Sequence, residues 1–250
     1  MTSSLEEKIK YYDDEYRAGR ALIIDKKFDQ LERNLLRIDP KSDYFTNKKA
    51  LPLPSLPKDQ ISEFLEDLLP DTRLLIEPKI DGCAIAISYK DGKLEKAISR
   101  KGIDVSEKIK TIKSIPREIS IRSNFVVRGE LFTKEEEPAF SQRIASGYLR
   151  SKSYEPNPKI KFAAFQIING NCNQYESLNY LRKLGFSVLE SYQANRTSQV
   201  ETFRQAWKSG KLFSDWPTDG IVVKINSRKL QLLREKSYGC YPFWQMAVKY

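Results

Sequence analysis

The 250-residue sequence contains no histidine, which excludes imidazole bases, imidazole metal ligands and Ser-His or Cys-His nucleophiles. Any acid–base or nucleophilic chemistry therefore falls to lysine, arginine, aspartate or glutamate. Those residue types recur inside apolar, strand-like runs. Glu77, Lys79 and Asp81 alternate in Glu77-Pro78-Lys79-Ile80-Asp81-Gly82, and a period of two places all three on one strand face. Arg128 and Glu130 share a face of the run 125–132, Asp219 and Lys224 bracket Gly220-Ile221-Val222-Val223, and Lys249 follows Met246-Ala247-Val248. Taken singly, each run reads as a solvated edge or a structural ion pair. Taken together, charges set among Val and Ile are expected to converge on one another or on a ligand.

The elements that must position these residues follow from periodicity. Runs 74–80, 83–89, 93–99, 125–132, 160–168, 219–225 and 243–250 have the alternation and composition of strands, with Lys90-Asp91-Gly92 as the turn joining the second to the third. Helical spacing predicts a hairpin from Ser4 to about Arg37, broken at Gly19 and ending at Asp39-Pro40. It also predicts helices over 60–68, capped by Asp59, and over 134–143, 174–184 and 199–207. The Pro-rich stretch 51–59 marks the boundary region. The expected class is α+β, built on antiparallel hairpins without a βαβ repeat, with a helical unit over residues 1–45 and a larger unit over residues 46–250.

Composition narrows the partners. Forty-three Lys and Arg against 33 Asp and Glu leave a net charge of +10, which suits an acidic polymer such as nucleic acid. Cys83, Cys172 and Cys240 are odd in number and far apart, so neither a disulfide framework nor a zinc site is expected. A reducing cytoplasmic setting fits best. The N-terminus has no apolar stretch of signal-peptide length, and no run is long enough to span a membrane, so no membrane partner is expected.

The set EPKIDG, Arg100 in Ser99-Arg100-Lys101-Gly102, VVRGELF, DGIVVK and MAVK resembles, in order, the nucleotidyltransferase motifs of the DNA ligase, RNA ligase and capping-enzyme superfamily. Within it, essentially the whole chain is similar to the adenylation domain of NAD-dependent DNA ligases, including DKKFDQL from Asp25 in the segment that recognises the nicotinamide end of NAD. The resemblance implies a nucleotidyltransferase (ATP-grasp-like) fold of antiparallel sheets flanked by helices, with a small N-terminal helical subdomain. It implies Lys79 as the nucleophile that takes AMP through a phosphoramide bond. Lysine ordinarily titrates near 10.4, so burial and the cations Arg100, Lys224 and Lys249 would have to lower it. Those cations would also stabilise charge on the α-phosphate. Asp81 and Glu130 would orient Lys79 or the ribose, and Glu130 and Asp219 would hold Mg²⁺. Glu77 would contact adenine, Phe165 would stack on it, and the Ser55-Leu56 backbone would line the adenosine pocket. Tyr16, Asp25, Phe28 and Asp29 would face the nicotinamide mononucleotide (NMN).

The sequence departs from that family in several places. Tyr16-Arg17 stands where a Tyr-His pair is usual, Phe28 and Phe165 replace tyrosines, and Lys211 replaces an arginine. The stretch after Arg100 is about four residues shorter, and RIASGYLR (143–150) abbreviates a longer basic loop. No DNA-clamping domain follows Lys249-Tyr250, so the resemblance implies an excised domain, a subunit completed by a second polypeptide, or a minimal enzyme. Nicked double-stranded DNA is the expected acceptor. Two other readings stay open: an ATP-dependent nucleotidyltransferase of the RNA-ligase kind, and a non-catalytic basic DNA-binding module.

Overall fold

The computed structural model describes residues 2–17, 20, 22–39, 41–45, 56–57, 60–100, 102–134, 138–168, 170–237 and 243–249. Among the described residues, eight strands form two antiparallel four-stranded sheets. β1 (Leu74–Ile80), β6 (Tyr192–Ala194), β7 (Thr218–Ile225) and β8 (Gln245–Val248) make the first, in the order β6-β1-β7-β8. β2 (Cys83–Lys90), β3 (Lys93–Ser99), β4 (Phe125–Phe132) and β5 (Lys161–Ile168) make the second, in the order β3-β2-β4-β5. The expected α+β class and antiparallel sheets are what the chain adopts. At the β2–β3 turn Asp91 and Gly92 both have positive φ, 50° and 81°, the two-residue geometry that matches the twist of a hairpin.

One face of the second sheet and one face of the first are covered by helices. Ile85, Ile87, Tyr89, Val127, Leu131 and Phe162 pack with Ile109, Ala145, Tyr148, Leu178 and Leu181 from α4 (Ser106–Ile109), α5 (Pro138–Arg150) and α6 (Gln174–Lys183). Leu74, Ile76, Ile221, Val223, Trp244 and Met246 pack with Phe64 of α3 (Ile61–Glu66), Val200 of α7 (Gln199–Lys208) and Leu230 of α8 (Arg228–Ser237). Full burial of side chains of this size contributes about 1.5–3 kcal/mol each. A small cluster of Ile80, Phe132, Ala163 and Leu189, flanked by Phe165 and Trp216, draws on both sheets. The N-terminal helices α1 (Thr2–Arg17) and α2 (Asp25–Ile38) share a separate core of Ile9, Leu35, Tyr44 and Phe45. No helix among the described residues is long and apolar enough to cross a membrane.

Several boundaries differ from the sequence expectation. The helix expected over 134–143 runs from Pro138 to Arg150, so the segment read as a shortened basic loop is helical. Its Ala145 and Tyr148 are buried at helical spacing against the second sheet, and Gly147 faces open space. The helix expected over 60–68 is only Ile61–Glu66, with Gln60 as N-cap and no side-chain cap bond; Asp59 lies outside the described residues. The last strand begins at Gln245, because Phe243 and Trp244 form a turn. Three elements were not expected, among them the four-residue helix α4. β6 has only three residues, and α8 leaves Leu232 and Leu233 exposed, so its sequence shows no clean apolar stripe.

Candidate active site

β1 carries charge into a fold interior because its partners answer it. Glu77 and Lys224, 1% and 2% exposed, form an ion pair with Nζ to Oε2 at 2.6 Å. β1 and β7 lie side by side with Glu77 opposite Val222, and the register shifts between Pro78 and Ile80. Beyond that irregularity Lys79 Nζ meets Asp219 Oδ1 at 2.6 Å. The other oxygen of Asp219 accepts from Lys249 Nζ, also at 2.6 Å. One carboxylate thus holds two lysines, from the first and last motifs of the set.

Burial lowers the Lys79 ammonium below the ordinary lysine range; Asp219 opposes the shift and Lys249 reinforces it. The causes differ from the sequence expectation. Among the three cations expected to act on Lys79, Lys249 does so, while Lys224 is paired with Glu77 and Arg100 acts electrostatically on Glu130. Burial pushes Asp219 up, but Lys79 and Lys249 more than reverse it, so its carboxyl titrates below the ordinary range. Burial also lowers Lys224 against the pull of Glu77.

Glu130 reaches the same centre from the second sheet. A Cβ on Gly82 would lie 2.2 Å from the carbonyl oxygen of Leu131 and 2.9 Å from Cγ of Glu130, so only glycine lets the end of the Lys79 motif approach β4 this closely. Burial pushes the Glu130 carboxyl up to about 8, with Lys79 and Arg100 opposing and Asp81 and Asp219 adding to the rise. Asp81 is raised by burial and by Asp219. A glutamate that titrates at 4.5 when exposed and about 8 in the fold keeps its proton only in the folded chain between those values. Its contribution to stability therefore falls as pH rises through that window. Glu130→Gln is expected to melt at a temperature several degrees above the parent at pH 9, with the difference closing below pH 4.5. Thermal unfolding at a series of pH values checks this, and parallel curves would sink it.

Phe165 on β5 adds to the site from the second sheet. Its ring lies 5.0 Å from Lys224 Nζ, and its carbonyl oxygen accepts from that ammonium at 3.2 Å. Gln174, the first residue of α6 and 3% exposed, donates through Nε2 to Glu77 Oε1 at 3.1 Å and to the same Phe165 carbonyl at 2.9 Å. Sequence reading missed this residue; its signal was a polar side chain directly after the Asn173 cap of a helix. Arg128 shares a strand with Glu130 but bonds Gln166 Oε1 through Nη1 at 3.3 Å, and burial lowers it to about 10.

Of the remaining expected site residues, Leu56 is described beside Pro57, whose carbonyl accepts from Ala247 N of β8 at 2.9 Å. Ser55 lies outside the described residues, as do the side chains of Tyr16, Asp25 and Asp29. Phe28 is described and packs against the N-terminal helical core. No group of three or more acidic or cysteine side chains among the described residues is clustered so as to hold a metal ion.

Two antiparallel sheets joined by a shared cluster, with a partly buried lysine, its carboxylate and two further lysines beside it, define a nucleotidyltransferase-type domain. The chain belongs to the family described as the NAD-dependent DNA ligase adenylation domain, whose model matches residues 57–250. A DNA ligase of Clostridioides difficile is 30% identical over 203 residues, covering 70% of this chain and 30% of the ligase. A DNA ligase of Thermotoga neapolitana is 28% identical over 302 residues, covering 98% of this chain and 43% of the ligase. The chain therefore spans less than half the length of these curated relatives. A solved structure designated Pmar-Lig_Pre shares the fold, with a TM-score of 0.54 at 14% identity over 89% of this chain and 51% of that one.

Proposed function

We propose that this chain carries out the adenylation half-reaction of an NAD-dependent DNA ligase. The observation that carries the reading is Lys79, partly buried, lowered in pKa and held by the carboxylate that also holds Lys249. Neutral Lys79 attacks the α-phosphorus of NAD, forming the N–P bond as the bond to the NMN phosphate oxygen breaks. Asp219 Oδ1 is placed to take the proton that the new phosphoramide nitrogen sheds. Lys249 and Arg100 offset charge on the α-phosphate, Asp81 and Glu130 orient the lysine or the ribose, and Glu77 and Phe165 receive the adenine. Residues 1–45 would recognise the NMN moiety and residues 46–250 would carry the chemistry.

Magnesium fits this donor set as an ion shared with the substrate, since it keeps several waters and takes one or two carboxylates plus phosphate oxygens. Glu130, crowded by Asp81 and Asp219 and raised to about 8, is the carboxyl that a divalent cation would discharge. Asp219 already holds Lys79 and Lys249, one on each oxygen, so an ion there would share its carboxylate with two lysines. Bound there, the cation would supply charge neutralisation on the phosphates. The AMP would pass to the 5′-phosphate of a DNA nick, with parts of the ligase beyond these residues, or a second polypeptide, holding the DNA.

Intact-mass measurement after incubation with Mg²⁺ and either NAD or ATP tests the reading. An AMP adduct from NAD, with none or far less from ATP, is expected. An adduct from ATP alone would move the chain to the ATP-dependent branch, and none from either would favour a DNA-binding module.

A further inference from the structure

Four groups from four elements close a buried ring of hydrogen bonds that spans both sheets. The acceptors are the Glu77 carboxylate on β1 and the Phe165 carbonyl on β5; the donors are Lys224 Nζ on β7 and Gln174 Nε2 on α6. Each donor serves both acceptors: Lys224 at 2.6 Å to Glu77 Oε2 and 3.2 Å to Phe165 O, and Gln174 at 3.1 Å to Glu77 Oε1 and 2.9 Å to Phe165 O. Lys224 alone neutralises the carboxylate's charge, so Gln174 does something else. It fixes the direction of the second carboxylate oxygen and ties it to the residue whose ring lies beside Lys224.

The fold fastens Gln174 in turn. Its backbone N donates to Asn226 O at 2.9 Å, and Tyr175 N donates to Asn226 Oδ1 at 2.9 Å. Arg228 N donates to Asn173 Oδ1 at 3.1 Å, and Asn173 with Glu176 forms a capping box. The start of α6 is thereby docked on the turn that follows β7, two residues past Lys224. A surface helix held only by its apolar stripe would not need these polar ties.

We propose that Gln174 is a positioning residue for recognition of the purine base, acting through Glu77 and Phe165. The proposal rests on the reading that these two residues receive the adenine. With Oε1 and Oε2 each committed to one donor, Glu77 is held as a pure acceptor with lone pairs to spare. It can take an N–H from the exocyclic amine of adenine, and it repels a base that presents a carbonyl oxygen there. Without Gln174, Oε1 loses its donor and the carboxylate is free to turn about its bond to Cγ.

The test uses the full chain and two dinucleotides, NAD and nicotinamide hypoxanthine dinucleotide, whose base carries a 6-oxo group in place of the amine. Single-turnover rates of adduct formation at a series of dinucleotide concentrations give for each a limiting rate constant, which takes the place of kcat, and a half-saturating concentration, which takes the place of KM. The parent chain should favour NAD strongly. In Gln174→Leu the KM for NAD should rise about tenfold, as expected when a hydrogen bond to a charged group is lost, while kcat changes far less. The preference for NAD over the 6-oxo analogue should shrink by a similar factor. A purely structural role would lower both substrates' rates together and leave their ratio intact, and that result overturns the proposal. A parent chain that treats the two dinucleotides alike would instead remove the adenine reading of Glu77 and Phe165. Should Gln174→Leu fail to fold, the near-isosteric Gln174→Glu decides. Two adjoining carboxyls must share a proton, so its preference for NAD should decay as pH rises while that of the parent does not. A flat ratio overturns the proposal.

Discussion

Lys79→Ala is expected to bring covalent AMP to background after incubation with NAD and Mg²⁺, a loss of about a thousandfold or more in initial rate. The argument is chemical and geometric. Removing the amine removes the lysine on Asp219 Oδ1, while Lys249 still neutralises the same carboxylate through Oδ2. The fold should therefore survive, and thermal unfolding should place the variant within a few degrees of the parent. Lys79→Arg should be equally inactive, since a guanidinium stays protonated and cannot attack. Intact mass with peptide mapping is the measurement. An adduct that persists in Lys79→Ala would move the nucleophile to Lys249 or Lys224, the other lysines of the motif set, and mapping would show which.

The second large effect concerns stability. Glu77→Gln leaves the Lys224 ammonium buried without a counter-charge, and Lys224→Met leaves the Glu77 carboxylate in the same position. Breaking a buried pair from one side costs about 3–5 kcal/mol, so either variant should lose that much in urea unfolding. The double variant removes both charges and should be much less destabilised than the sum of the two. The partial retention of Gln174 and Phe165 O as partners for the remaining polar atom sets the lower end of the range. Single losses under about 1 kcal/mol would mean that water reaches this pair.

The strands were legible because each is a short run rich in Val, Ile and other strand formers, and six of the seven expected runs match observed strands to within one residue at either end. The seventh, 243–250, was cut back because Trp244 turns inward to fill the first sheet's core. Three-residue β6 carries too few side chains for a period to show, and it persists because β1 pairs with it. The charged residues were also legible as a set, yet their pairing was not. Nothing local says that Glu77 chooses Lys224 while Lys79 chooses Asp219; the register of β1 on β7, and its irregularity at Pro78, decides it. Gln174 was invisible for a related reason, since its role depends on a helix start docked on a turn some fifty residues away.

The route of the chain through the two sheets has a consequence in time. The chain leaves the first sheet at Ile80, builds the whole second sheet, and returns to the first only at Tyr192. Lys79 and Asp219 are 140 residues apart in sequence, and Glu77 and Lys224 are 147 apart. Contacts closed by such long excursions form after local hairpins, because the loop entropy must be met before they contribute. The second sheet, whose four strands all lie within residues 83–168 and include the β2–β3 hairpin, is expected to assemble before the first can close over it. The burial that lowers Lys79 therefore belongs to the last stage of folding. A nascent or clipped chain carries the same lysine as an ordinary, protonated one, so reactivity arrives together with the finished fold.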